Sequence, residues 1–209
     1  MTEASATLHE PFESAVRQRE AVSFGMWIFL ASELLLFAGL FLGYAVYRHD
    51  HAAAFDAAGA RANLVLGTIN TALLMTSSFS LSVANRATDQ ARARLGEIGI
   101  WITLALGLLF LVVKGFEYRQ DLQEHLWPDA RFAVAAPSAR IFFAFYWTMT
   151  LLHACHLSIG VALLARLGWI ARKGQLRAHN DSVEATTLYW HLVDIIWAVL
   201  FVCIYLEGR

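Results

Sequence analysis

Apolar and polar positions are distributed along this chain in blocks. Five windows, residues 24 to 47, 64 to 84, 98 to 118, 141 to 167 and 185 to 206, are almost continuously apolar and contain only Glu33, Lys114, Glu117, Arg166 and Asp194 as charged residues. The other charges and all three prolines, Pro11, Pro128 and Pro137, lie between or before the windows. At 1.5 Å rise per residue, about 20 apolar residues cross a hydrocarbon core of about 30 Å. The pattern therefore predicts an all-α polytopic membrane protein, a bundle of five transmembrane helices over residues 24–209, preceded by an amphipathic cytoplasmic tail over residues 1–23.

Composition and charge narrow this further. The 209 residues carry a net charge of -1, which gives no electrostatic reason to expect a nucleic-acid partner. The connections are too short for a separate soluble domain, and the alanine-rich run from His51 to Ala62 reads as an outer loop. Cys155 and Cys203 lie inside predicted spans with no Cys-x-x-Cys pairing, and read as small core residues. The tail lacks the basic start and short apolar region of a secretory signal. Basic residues resist translocation. Arg17, Arg19, Arg86, Arg92, Arg94, Arg166, Arg172, Lys173 and Arg177 fall on one side, against Arg48, Arg61, Arg119, Arg131, Arg140 and Arg209 on the other. That bias predicts a cytoplasmic N-terminus and a periplasmic C-terminus.

Ionisable side chains in hydrocarbon are costly, so they normally face the bundle interior and have partners. Glu33 in the first span, His153 and His156 in the fourth, and His191 and Asp194 in the fifth are such residues. Counted from the end read as cytoplasmic, Glu33 and Asp194 lie roughly 14 Å deep, His156 about 17 Å, His153 about 21 Å and His191 about 9 Å. The five are expected to share one layer. Lys114 and Glu117, three apart near the outer end of the third span, are expected to pair and to snorkel to the interface.

Two chemistries suit the layer: a proton-titratable site or relay, or polar glue between helices. Spacing alone leaves both open. Metal or haem ligation is disfavoured, because di-iron bundles repeat a Glu-x-x-His pair on two helices with further glutamates. No residue is read as catalytic and none as a metal ligand. In the second span, Thr68, Asn70, Thr71, Thr76, Ser77, Ser78, Ser80 and Ser82 predict close helix packing. Trp127 and Trp169 read as interfacial anchors, and His49, Asp50 and His51 as a solvated turn.

Four ordered motifs carry a family resemblance. Phe24 to Glu33 followed by Leu34 to Phe41 resembles the glutamate-bearing helix of subunit III of the haem-copper respiratory oxidases. Lys114-Gly115-Phe116-Glu117-Tyr118 is similar to the end of that family's next-but-one helix, and His153-Ala154-Cys155-His156 with Gly160 to its paired-histidine helix. Tyr189 to Trp197, ending in Ile204-Tyr205, resembles its final helix. The match is colinear from Phe24 to Gly208.

The resemblance implies a subunit of a cytochrome c oxidase type complex, oxygen-reducing and proton-translocating, in the bacterial cytoplasmic membrane. The chain itself would carry no redox centre; haem and copper would reside in partner subunits. Subunit I would be its main contact, with subunit II, a small subunit IV and structural phospholipid as further partners. It would stabilise subunit I, support proton uptake and protect the complex during turnover. The carbodiimide-reactive carboxylate of the family falls on Glu33, and its histidines and aspartate on His153, His156, His191 and Asp194. The long form of the family has two helices before the glutamate helix that are missing here. Five-helix members accompany cytochrome c oxidases, bo-type quinol oxidases and an accessory protein of nitric oxide reduction. A small proton-coupled transporter is the alternative from a different class, and it predicts paired helix interruptions that the sequence does not show.

Overall fold

A computed structural model of the chain describes residues 15–90, 92–129, 132, 134 and 137–206. The start of the tail, including Glu3, Glu10, Pro11 and Glu13, together with Arg131 and Arg209, lies outside the described residues. The helices run α1 (Ala15–Asp50), α2 (Ala52–Gly59), α3 (Leu64–Asp89), α4 (Ala93–Gln123), α5 (Pro137–Arg172) and α6 (Asn180–Phe201). A short 3-10 turn, Leu176–His179, leads into α6, and a π-helical turn, Val202–Leu206, ends it. Five segments are long and apolar enough to span a bilayer: Phe24–Asp50, Leu64–Asp89, Ala93–Gln123, Ser138–Arg172 and Leu176–Leu206.

Helix α1 is described from Ala15 onward, so the described end of the tail is continuous with the first span. Its 36 residues extend about 54 Å, well beyond the hydrocarbon thickness.

The alanine-rich run expected to be a loop is instead helix α2. Alanine loses the least on entering a helix, and the run contains an anchor: Phe55 is fully buried, edge-on to Tyr44 at 5.4 Å and to Phe142 at 5.6 Å. Arg48 and Asp56 close the α1–α2 corner with a 3.1 Å ion pair. His49, Asp50 and His51 are exposed at that corner.

Small residues let α3 and α4 touch at the backbone. Ser80 donates to the Gly99 carbonyl at 3.1 Å, and Thr103 donates to the Ser77 carbonyl at 3.3 Å. A Cβ on Gly99 would meet the Ala84 Cβ at 2.8 Å. Such approach is how transmembrane helices gain van der Waals contact without a hydrophobic driving force.

Helix α6 is the axis of the bundle. Half of its most apolar window is buried, against 11% for α1. Trp190, fully buried, lies in a slot between Gly107 of α4 and Gly160 of α5, where added Cβ atoms would come within 2.6 and 2.9 Å of its ring. Its indole N–H donates to Ser77 at 3.0 Å. Trp169, near the end of α5, and Trp127, in the connection after α4, are exposed. Cys155, expected in the core, is exposed on the outer face, and Cys203 is half-buried. Two residues along α5 turn the chain by about 200°, so Cys155 points away from the side on which His153 is buried.

Candidate functional site

The intramembrane polar residues form four separate groups of contacts. The first joins α1 to α5. Glu33 Oε2 lies 2.7 Å from His156 Nε2, and both side chains are slightly exposed, at 17% and 12%. His156 Nδ1 lies 2.8 Å from the Leu152 carbonyl oxygen. A carbonyl can only accept, so Nδ1 carries a hydrogen. One further proton then lies between Glu33 and His156, either on the carboxyl group with a neutral imidazole or on the imidazole with a carboxylate. The Phe37 ring packs edge-on to the imidazole at 5.5 Å. Tyr189 of α6 donates to the His156 carbonyl at 2.9 Å, fixing this turn of α5 against the central helix.

His153, one turn earlier, does not join that pair. It is buried against Trp197 at 5.1 Å and Phe110 at 5.8 Å, and neither ring nitrogen has a hydrogen-bond partner. An i,i+3 spacing leaves two side chains about 60° apart around the helix. Here that angle separates a residue facing α1 from one facing α4 and α6.

The third place joins α3 to α6. Ser78 Oγ is 2.7 Å from His191 Nδ1, and Ser82 Oγ is 3.2 Å from His191 Nε2. Asp194, three residues on, stops 4.0 Å from His191 Nδ1. Its side chain is 3% exposed, and neither carboxyl oxygen accepts a hydrogen bond.

The fourth place corrects the expectation for Lys114 and Glu117. They pair, at 3.1 Å, but at 2% and 1% exposure they do not snorkel. Their stripe of α4, which continues to Asp121, faces α5 and the end of α6, from which two tyrosines meet them. Lys114 Nζ donates to Tyr205 at 2.7 Å and to Tyr146 at 3.3 Å. Tyr205 donates to Glu117 Oε1 at 2.5 Å, and Tyr146 donates to Asp121 Oδ2 at 2.5 Å. The ammonium also lies over the Tyr118 ring at 4.9 Å and the Trp197 ring at 5.6 Å. The π-helical turn presents Tyr205 to this cluster; such turns insert one residue into a helix and re-aim the side chains after it.

Asp121, Tyr146 and Tyr205 were not in the candidate set. The sequence held a signal for the first, since Lys114, Glu117 and Asp121 stand at i, i+3 and i+7 on one helical face. It held none for Tyr146, whose place depends on how α5 crosses α4. Among the described residues, no three His, Cys, Asp or Glu side chains converge as a metal site.

A model of the family "Cytochrome c oxidase subunit III" matches residues 3–209. The chain is similar to cytochrome c oxidase subunit 3 of Thermostichus vulcanus, 32% identical over 88% of this chain and 87% of that protein. It is similar to the same subunit of a Synechocystis strain, 31% identical over 88% of this chain and 74% of the relative. Cytochrome bo(3) ubiquinol oxidase subunit 3 of Buchnera aphidicola is 29% identical over 88% of this chain and 86% of the relative.

Proposed function

The chain belongs to the cytochrome c oxidase subunit III family, and we propose on that premise that it is the non-catalytic third subunit of a proton-pumping haem-copper terminal oxidase. It stabilises the catalytic subunit and supports proton uptake from the inner surface. The N-terminus is cytoplasmic, the C-terminus is periplasmic, and the membrane is the bacterial cytoplasmic membrane. The haem and copper are held by the partner subunits.

The observation that carries the site reading is the Glu33–His156 contact. It is a proton-sharing pair at the edge of the bundle, placed where a partner or a small apolar reagent can reach it. Hydrophobic carbodiimides partition into the bilayer and react there with a carboxyl group that can draw on a nearby proton, as one in contact with an imidazole can. Labelling of the intact complex is expected to map to Glu33 and to vanish in Glu33→Gln with haem content unchanged. Unchanged labelling of that variant would assign the reactive group to another carboxyl.

Cytochrome c is the electron donor we propose, on the strength of the two cytochrome c oxidase relatives at 32% and 31% identity. Oxygen consumption with reduced cytochrome c tests it; activity with quinol alone would make the complex a quinol oxidase instead. A structural phospholipid is the further ligand we propose for this subunit. A groove of about 550 Å³ lined by Leu40, Tyr47, Phe145 and Ile141 carries Arg140. Acyl chains suit its walls and a phosphate suits the guanidinium.

A further inference from the structure

The Lys114 cluster carries a charge that its own members do not balance. It holds two carboxyl groups, Glu117 at 1% and Asp121 at 9% exposure, against one ammonium. Lys114 is the one lysine or arginine buried among the described residues. With all three groups ionised, one negative charge is left uncompensated where water solvates it poorly, and a buried charge persists only where it is paired.

The partners are divided unequally between the two carboxyl groups. Lys114 Nζ lies 3.1 Å from Glu117 Oε2, and Tyr205 donates to Glu117 Oε1. Asp121, one turn further along the same face, meets the Tyr146 hydroxyl. That hydroxyl has a single hydrogen and two carboxyl oxygens within reach, Asp121 Oδ2 at 2.5 Å and Glu117 Oε1 at 3.2 Å. It serves one of them fully at a time. The other groups around Asp121 do not supply the missing charge. On α4, Tyr118 brings none, and Glu124, exposed one turn further on, adds a negative one. The end of α6 brings Tyr205; α5 brings Tyr146 and, deeper, His153 behind the Trp197 ring. A metal cation asks for several oxygen ligands, and the ammonium that donates to Tyr205 and Tyr146 already fills the centre. A proton on Asp121 meets the deficit. It leaves one ammonium facing one carboxylate, and it lets Asp121 donate to the Tyr146 oxygen while Tyr146 turns its own hydrogen to Glu117.

We propose that the Lys114 cluster is a binding site for one exchangeable proton, with Asp121 as the group that takes it up and the Tyr146 hydroxyl as the switch that passes its presence to Glu117. The step is a proton transfer alone: water at the membrane face gives up a proton, the Asp121 carboxylate gains it, and the hydroxyl of Tyr146 reverses its hydrogen bond. Asp121 is the least enclosed of the three charged members and stands two residues from the end of α4. Exchange is therefore confined to the face at which α4 ends, the periplasmic face in the orientation proposed above. Glu117 keeps Lys114 and Tyr205 in both states. The inference goes beyond the oxidase reading and does not depend on it.

The test is infrared difference spectroscopy between acid and alkaline buffer, in light and heavy water, on the chain purified from native membranes with the subunits that accompany it. The expected result is a protonated-carboxyl band that is lost in alkaline buffer and is missing from Asp121→Asn at every pH. Tyr146→Phe is expected to keep the band at a shifted frequency, because the acceptor of the Asp121 hydrogen is gone. Asp121→Asn holds the neutral state permanently, so it is expected to accumulate as the unaltered chain does. The protonated cluster is the more stable one, so the melting temperature of the unaltered chain is expected to fall as pH rises through the titration of Asp121. In Asp121→Asn that part of the fall is lost. Identical difference spectra for Asp121→Asn and the unaltered chain overturn the inference. So does poor accumulation of Asp121→Asn, which would show that the cluster requires a carboxylate there. Loss of the band on adding sodium ions at fixed pH overturns it in favour of a metal cation, and an unchanged frequency in Tyr146→Phe overturns the switch.

Discussion

Glu33 and Glu117 are both glutamates inside membrane-spanning helices, each beside a basic partner, and their surroundings differ in every other respect. Glu33 sits on α1, the least buried span, with one imidazole against it and part of its side chain open. Glu117 sits in the interior, held by Lys114 and Tyr205, with Tyr146 and Asp121 completing a network across α4, α5 and α6. A charge that is fully enclosed and multiply bonded can do little but fix the helices that supply its partners. A proton shared between two groups at the edge can be exchanged. On the function proposed, proton exchange is expected at the periphery of this subunit, while its interior polar groups tie helices together.

Variants that break the contrast should rank accordingly. Removing one member of a buried ion pair strands the other in low dielectric, a loss of about 3–5 kcal/mol. Lys114→Leu is therefore expected to abolish or severely depress accumulation of the folded chain, read as thermal stability in detergent. A stability equal to the unaltered chain would mean that the cluster does not hold the three helices. Gly107→Ala comes next. Its Cβ would lie 2.6 Å from the Trp190 ring, and overpacking of this kind costs about 1–3 kcal/mol; a melting temperature lowered by several degrees is the readout.

Smaller effects sharpen the comparison. Glu33→Gln keeps a hydrogen bond to His156 and should change stability by about 1 kcal/mol or less, the scale of interhelical hydrogen bonds in membranes, while removing the exchangeable proton. Slowed proton uptake at normal subunit yield is its expected signature. His153→Phe is expected to be the mildest. Both histidine nitrogens lack partners and the ring already packs as an aromatic between Phe110 and Trp197; replacing an unsatisfied polar group by an apolar one of similar shape is near neutral or stabilising. Marked destabilisation would show that His153 makes a polar contact after all.

The five spans were legible because hydrophobic runs of membrane length are the strongest signal a sequence carries. The residue types at the polar sites were legible for the same reason, since each stands out against an apolar background. Their grouping was not. Depth along the membrane axis places Glu33, His156 and Asp194 in one slab, but the angle around each helix decides who meets whom, and that angle depends on the crossings of α1, α5 and α6. The fate of Lys114 turned on Tyr146 and Tyr205, which contribute partners from helices remote in sequence. Helix α2 was missed because a short alanine run between polar residues has no periodicity of its own; Phe55 anchors it through contacts with Tyr44 and Phe142.

The central claim is that this chain serves a redox complex without holding its metals. It is tested most directly by stripping the chain from the purified complex with detergent and measuring haem, copper and initial oxygen consumption in what remains. Full retention of both metals with the other subunits is expected, with oxygen consumption that persists but is slowed where proton uptake limits it. Haem or copper leaving with this chain would contradict it.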